Sequence, residues 1–399
     1  MNIRDFAIFY FPIFLGWMCF AGKNIQHWAY QPIIDPDVPR FSSDAWGSNE
    51  IDAFILEDLN KANCPPPKQA KDKILMRRLH YTLTGLPVPA DKNEQFKFSE
   101  KLEELLNSPH YGEKWARHWM DVARYADSNG LDENLAFAHA WRYRDYLIDA
   151  FNRDTPFDDF IIEQLAGDLL SNGKPLEEAN RLKVATGFLA LGPKLLAEPD
   201  PVKMEMDMID EQLDVVGQAF MALTIGCARC HDHMSDPITT AEYYGMAGIF
   251  KSTKSMDKIT RPTRWFEHVI SSKDMQLHAE KHEMLIESQK NLIQAYKDKA
   301  AHELVALKVV SRIPKNPANF YSESTKREIA LLEETLSKYE ESRPVLEYCH
   351  GVSDGNITKL KVHLRGDPDT LGQEQERKFL SLFQVPEDQL PPENESGRL

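Results

Sequence analysis

Apolar residues recur at three- and four-residue spacing along most of this chain, the period of helices buried on one face. Ile51 through Leu59 carries that period, and Cys64-Pro65-Pro66-Pro67 stops it. Leu75, Leu79 and Leu83 predict a second helix, closed by Thr84-Gly85-Leu86-Pro87 with glycine placed for a left-handed cap. Asp91 with Glu94 has the form of a capping box before another short helix. Ser108-Pro109 supplies an N-cap and a first-turn proline. The helix behind them sets Trp115, Trp119 and Val122 on one stripe and His118, Asp121 and Tyr125 on another. Trp141 to Phe151 and Thr155-Pro156 to Leu170 predict two more. Met204 to Leu223 reads as a long amphipathic helix running straight into a cysteine motif, and Thr239 with Glu242 caps the helix AEYYGMAGIF.

Beyond residue 260 the pattern changes. From Lys273 to Leu307 the sequence is polar and helical, with Leu285, Leu292, Tyr296 and Leu304 on one face. After Ile313-Pro314-Lys315-Asn316-Pro317, Ile329, Leu332, Leu336 and Tyr339 repeat the helical spacing, so residues 273–342 predict an antiparallel helical hairpin. Val345 to Cys349 and Lys359 to Leu364 predict short strands around Gly/Asp/Asn turns, and no strand pair is expected before residue 260. The fold class is mainly α: a multi-helical globular domain with a helical-hairpin arm and a small β-containing C-terminal segment.

The first 22 residues stand apart. An uncharged run from Phe6 to Gly22 follows Arg4 and precedes Lys23, which reads as a signal peptide or an uncleaved N-terminal anchor. Either reading places the rest of the chain outside the cytoplasm, periplasmic or membrane-anchored and facing outward. A formal net charge of -15 argues against nucleic acid as a partner, because phosphate neutralisation needs a basic face.

One motif names a chemistry. Cys227-Ala228-Arg229-Cys230-His231 sets two thiols three residues apart beside an imidazole, and chance gives roughly 0.002 such windows at this composition. The thiols could add to the two vinyl groups of one haem while His231 reaches the iron as axial ligand. They could equally form a disulfide or redox pair, or half of a zinc site. The alternative metal centre is a loop in which His231, His233 and Asp236 grip a divalent ion. Should haem be bound, its distal ligand comes from elsewhere: Met246, His118 and His139 are candidates, with Asp121 placed to orient His118. Arg142 and Arg144 are candidate partners for haem propionates. No hydrolase or dehydrogenase fingerprint is present.

WAYQP (Trp28 to Pro32), NEIDAFIL (Asn49 to Leu56), SPHYGEKWARHWMDVARYADSNG (Ser108 to Gly130), AWRYRDYLIDAFN (Ala140 to Asn152), PFDDFIIEQLAGDLL (Pro156 to Leu170) and LTIGCARCHDHMSDPI (Leu223 to Ile238) follow one another in order. Together they resemble the large planctomycete domain of unknown function described as cytochrome-c-like, over residues 28–255. HLRGDPDTLG (His363 to Gly372) and the final SGRL resemble the opening of a companion planctomycete domain, so that residues 345–399 read as a truncated start of it. The resemblance implies haem c on Cys227, Cys230 and His231, and electron transfer with an unnamed redox partner protein. It carries over no distal ligand.

Overall fold

The computed structural model describes residues 27–40, 46–90, 96–131, 133–259, 263–383 and 393–399. The apolar leader and the Asp91/Glu94 capping box lie outside the described residues. Helices run through the rest: α1 (Glu50–Lys61), α2 (Asp72–Leu83), α3 (Phe98–Leu106), α4 (Pro109–Val122), α5 (Ala140–Asn152), α6 (Phe157–Leu170), α7 (Leu176–Ala185), α8 (Gly187–Ala190), α9 (Pro201–Val216), α10 (Thr240–Lys251), α11 (Lys273–Ala306) and α12 (Glu323–Glu341). Local caps decide several of their ends. Asn49 and Ser108 accept backbone N–H groups of α1 and α4, Gly85 follows α2 at φ +72°, and Thr239 with Glu242 forms a complete capping box for α10.

Helix α4 packs along α5, α6 along α7, and α10 against α9. Their facing residues make the main core, in which Leu147, Phe188, Leu189, Leu213, Ile225, Tyr243 and Tyr244 are all fully buried. Burial of each such large side chain stabilises the fold by about 1.5–3 kcal/mol. The segment after residue 345 joins this core through Cys349, Val352, Leu360 and Leu380.

The strands are short: β1 (Thr253–Lys254), β2 (Met256–Lys258), β3 (Arg264–Trp265), β4 (Glu267–Val269), β5 (Tyr348–His350), β6 (Ser353–Asp354), β7 (Leu360–His363) and β8 (Leu371–Gln375). Antiparallel pairs join β1 to β6, β2 to β3, β4 to β5 and β7 to β8. β1 and β2 begin before residue 260, but each pairs with a strand beyond it, β1 with the distant β6 and β2 with the nearby β3, so no strand pair lies wholly before residue 260.

Two expectations are corrected. The helix predicted from Met204 to Leu223 ends at Val216. It gives way to a π turn at Gly217–Met221 and a left-handed Ala222. A Cβ at Gly217 would meet the Leu223 carbonyl at 2.8 Å, so only glycine lets the chain fold back here. In the α11–α12 arm the packed face holds Ile286, Ile293, Ala300, Ala301 and Leu304, whereas Leu285 and Leu292 are half exposed. Both sets satisfy the period, and the position of α12 selects between them.

Candidate functional site

The motif is carried by a single 3-10 turn, Ile225–Arg229, with Cys230 as its C-cap. In such a turn, residues three apart lie over one another. Ile225 and Ala228 point inward and are wholly buried, while Cys227 and Cys230 share the outer side as exposed free thiols. Arg229 is pinned beneath by Asp207 at 2.9 Å and Asp210 at 3.2 Å, and Asp210 also accepts the Tyr243 hydroxyl at 2.6 Å. Burial and the neighbouring Asp210 carboxylate hold that hydroxyl well above its ordinary pKa, so it stays a donor. Asp207, Asp210, Glu211 and Asp214 fall at i, i+3, i+4 and i+7 on α9, which gives the turn an acidic flank.

The histidine loop is specific in how it places its protons. His231 is exposed, with Nδ1 2.8 Å from the carbonyl oxygen of Asp232. A carbonyl only accepts, so Nδ1 carries the proton and Nε2 presents its lone pair outward. His233 has the opposite arrangement. Its Nδ1 accepts the backbone N–H of Asp236 at 2.8 Å and of Ser235 at 3.3 Å, and its Nε2 lies 3.2 Å from the Thr224 hydroxyl. Asp236 accepts the Tyr30 hydroxyl at 2.7 Å.

The expected metal loop of His231, His233 and Asp236 is one stretch of chain, in which His233 Nδ1 also lies 3.4 Å from Asp236 Oδ2. Both ring nitrogens of His233 are engaged in shaping the loop, and among the described residues no three His, Cys, Asp or Glu side chains converge to hold a metal ion. The two exposed thiols, three residues apart, with the free Nε2 of His231 are a different donor set, the one that covalent haem would use.

The other candidate residues are scattered. Met246 is 2% exposed and belongs to the main core. His118 is exposed on α4 with its ring 5.5 Å from that of Trp115, beside a groove of about 630 Å³ lined also by Trp119, Phe151, Phe157 and Phe160. No hydrogen bond joins it to Asp121. His139 is half-buried near Glu267, and its backbone N–H donates to His350 Nε2 at 3.3 Å. Arg142 pairs with Glu347 and Arg144 with Asp145.

Residues that the sequence left unmarked do reach the motif. A Cβ on Gly366 would stand 2.5 Å from Cys230 Sγ. The Tyr244 hydroxyl donates to the carbonyls of Arg229 at 3.2 Å and His363 at 3.4 Å, and the Tyr244 and His363 rings lie 5.2 Å apart. His363 is buried, and its Nδ1 has no partner. Only the HLRGDP resemblance hinted at this segment, through a likeness and not through any contact readable in sequence.

Fold and motif together define a mainly helical protein that displays a CxxCH turn beside an acidic helix. The chain belongs to the family described as PSCyt2, protein of unknown function (DUF1549), whose model matches residues 50–255, just over half of the 399 residues. No curated protein and no solved structure shows significant similarity to it.

Proposed function

We propose that this chain is an extracytoplasmic protein that binds haem c and passes electrons to a partner protein. The observation that carries the reading is two exposed thiols, on a 3-10 turn and its C-cap, with an adjacent histidine whose Nε2 is free. Cys227 and Cys230 would each add across one vinyl group: sulfur bonds one vinyl carbon and the thiol proton ends on the other. No oxidant or reductant is consumed. His231 would supply the axial nitrogen, held in orientation by the Asp232 carbonyl. Haem iron, when held there, exchanges one electron at a time.

The chain's own electrostatics bear on the partner. Asp207 and Asp210 hold Arg229, Asp214 lies by Gly226 of the same turn, and the whole chain carries -15. Such a surface favours association with a partner that has a basic docking face, at a rate that falls as salt is raised. Export would rest on the leader; among the described residues no helix is long and apolar enough to cross a membrane.

The test is haem staining after denaturing electrophoresis of the full chain, co-expressed with a cytochrome c maturation apparatus. A stained band is expected, absent in the Cys227→Ala/Cys230→Ala variant. An unstained band from folded, exported protein would overturn the reading.

A further inference from the structure

A second cluster within the family-matched region serves neither the motif nor ordinary packing. Lys194 is 3% exposed, yet its ammonium makes a single long hydrogen bond, to the Leu191 carbonyl at 3.3 Å, and no ion pair joins it to a carboxylate of the described residues. Buried cations are ordinarily paired. The backbone around Lys194 is firmly set: Asn129 Nδ2 donates to the Lys194 carbonyl at 2.7 Å, and the Lys194 N–H donates back to Asn129. Burial pushes the amine down to about 8, with Glu211 opposing the shift and Arg124 adding to it.

Arg124 adjoins it, in a left-handed backbone at φ +54°. Its Nη1 pairs with Glu211 and donates to that residue's carbonyl at 3.2 Å, while Nε and Nη2 are buried without a partner. Glu211 Oε2 is buried and unpartnered as well, while the nearby His350 Nδ1 lies 3.5 Å from Glu267. Gly192, at φ +108°, brings the main chain down onto the ion pair: a Cβ there would stand 2.7 Å from Glu211 Oε1 and 3.1 Å from Arg124 Nη2. Native proteins leave few buried polar groups unsatisfied, so a concentration of them calls for a partner or a role. The unpartnered N–H groups of Arg124 and the ammonium of Lys194 outnumber the one unpartnered carboxylate oxygen of Glu211, although Asp210 and Asp214 also act on the pair.

We propose that Arg124 and Lys194 form a binding site for a small oxyanion, either the carboxylate of an organic acid or an inorganic sulfate or phosphate. The unpaired N–H groups of Arg124 and the ammonium of Lys194 supply charge-assisted donors. Glu211 holds Arg124 in position and tempers the attraction. The site sits on the other side of the helix stripe that flanks the cysteine turn: Glu211 lies between Asp210, the partner of Arg229, and Asp214, whose Oδ1 is 3.5 Å from where a Cβ on Gly226 would stand. It does not depend on haem.

The experiment is calorimetric titration of the full chain with acetate, sulfate and phosphate, against sodium chloride at equal ionic strength. At least one oxyanion should bind saturably where chloride does not, and whether acetate or an inorganic anion binds tells the sources apart. Lys194→Met should weaken that affinity roughly tenfold or more, as expected for loss of a charge-assisted bond. Glu211→Gln removes the local negative charge and should tighten it, which keeps the idea testable if Lys194→Met fails to fold. No oxyanion binding beyond chloride, or unchanged affinity in either variant, overturns the proposal.

Discussion

Gly366 lies against the sulfur of Cys230 so closely that a Cβ on it would stand 2.5 Å from Sγ. The contact joins the cysteine motif to a β-hairpin, β7–β8, that lies more than a hundred residues further along the chain and outside the family-matched region. Gly366 and the preceding Arg365 both have positive φ, which glycine alone adopts freely. Gly366→Ala therefore combines a strained backbone with a clash, and should cost about 1–3 kcal/mol in urea denaturation. Because the hairpin must shift, alkylation of Cys230, followed by mass spectrometry, should change rate relative to Cys227. An unchanged denaturation midpoint and unchanged labelling would mean that the hairpin does not rest on this thiol.

Acid should destabilise the protein through His350. This ring is 3% exposed, and burial, then His139 and Lys194, depress its pKa to about 3. The unfolded chain binds the proton near pH 6.5, so it holds more protons than the folded chain between pH 6.5 and about 3. Stability is thus full above pH 6.5 and falls as pH drops through that window. His350→Gln should flatten the slope by close to one proton, measured from denaturation midpoints at pH 7 and pH 4.5. An equal slope in both proteins would refute this assignment.

The C-terminal segment is tied down by an ion cluster. Arg398 donates to Asp168 at 2.7 and 2.9 Å, to Asp354 at 2.9 Å and to the Leu165 carbonyl at 2.9 Å, with its side chain almost wholly buried. Arg398→Met leaves the buried Asp168 carboxylate without its cation and should cost about 3–5 kcal/mol. A loss under 1 kcal/mol would show that these final residues add little to the fold.

His233 makes a contrasting case inside the motif's own loop. His233→Ala removes the acceptor for the backbone N–H groups of Asp236 and Ser235, and should cost about 1–2 kcal/mol while leaving haem attachment intact. Loss of haem in this variant at unchanged stability would instead make His233 a ligand.

What the sequence made legible was local. Helices α1, α2, α4 and α5 and the box that opens α10 follow from spacing and caps within a dozen residues. So does the pairing of Cys227 with Cys230 and His231. The end of α9 was not legible, since the apolar period continues to Leu223 while the fold needs Gly217 for a close approach and Ala222 in a left-handed conformation. Nor was the face of α11, where Leu285/Leu292 and Ile286/Ile293 both fit the period and only contact with α12 decides. His363, Gly366, Lys194 and Arg124 escaped for one reason: what makes each notable is a neighbour 65 to 136 positions away, and no local pattern encodes that.

The central claim is that Cys227 and Cys230 carry haem, and the intact mass of the mature chain, purified from cells that attach c-type haem, tests it most directly. The expected mass is that of the polypeptide plus one haem, reverting to polypeptide alone in Cys227→Ala/Cys230→Ala. A mass lower by two hydrogens, restored by a reductant, would show instead that the two thiols form a disulfide and would contradict the account.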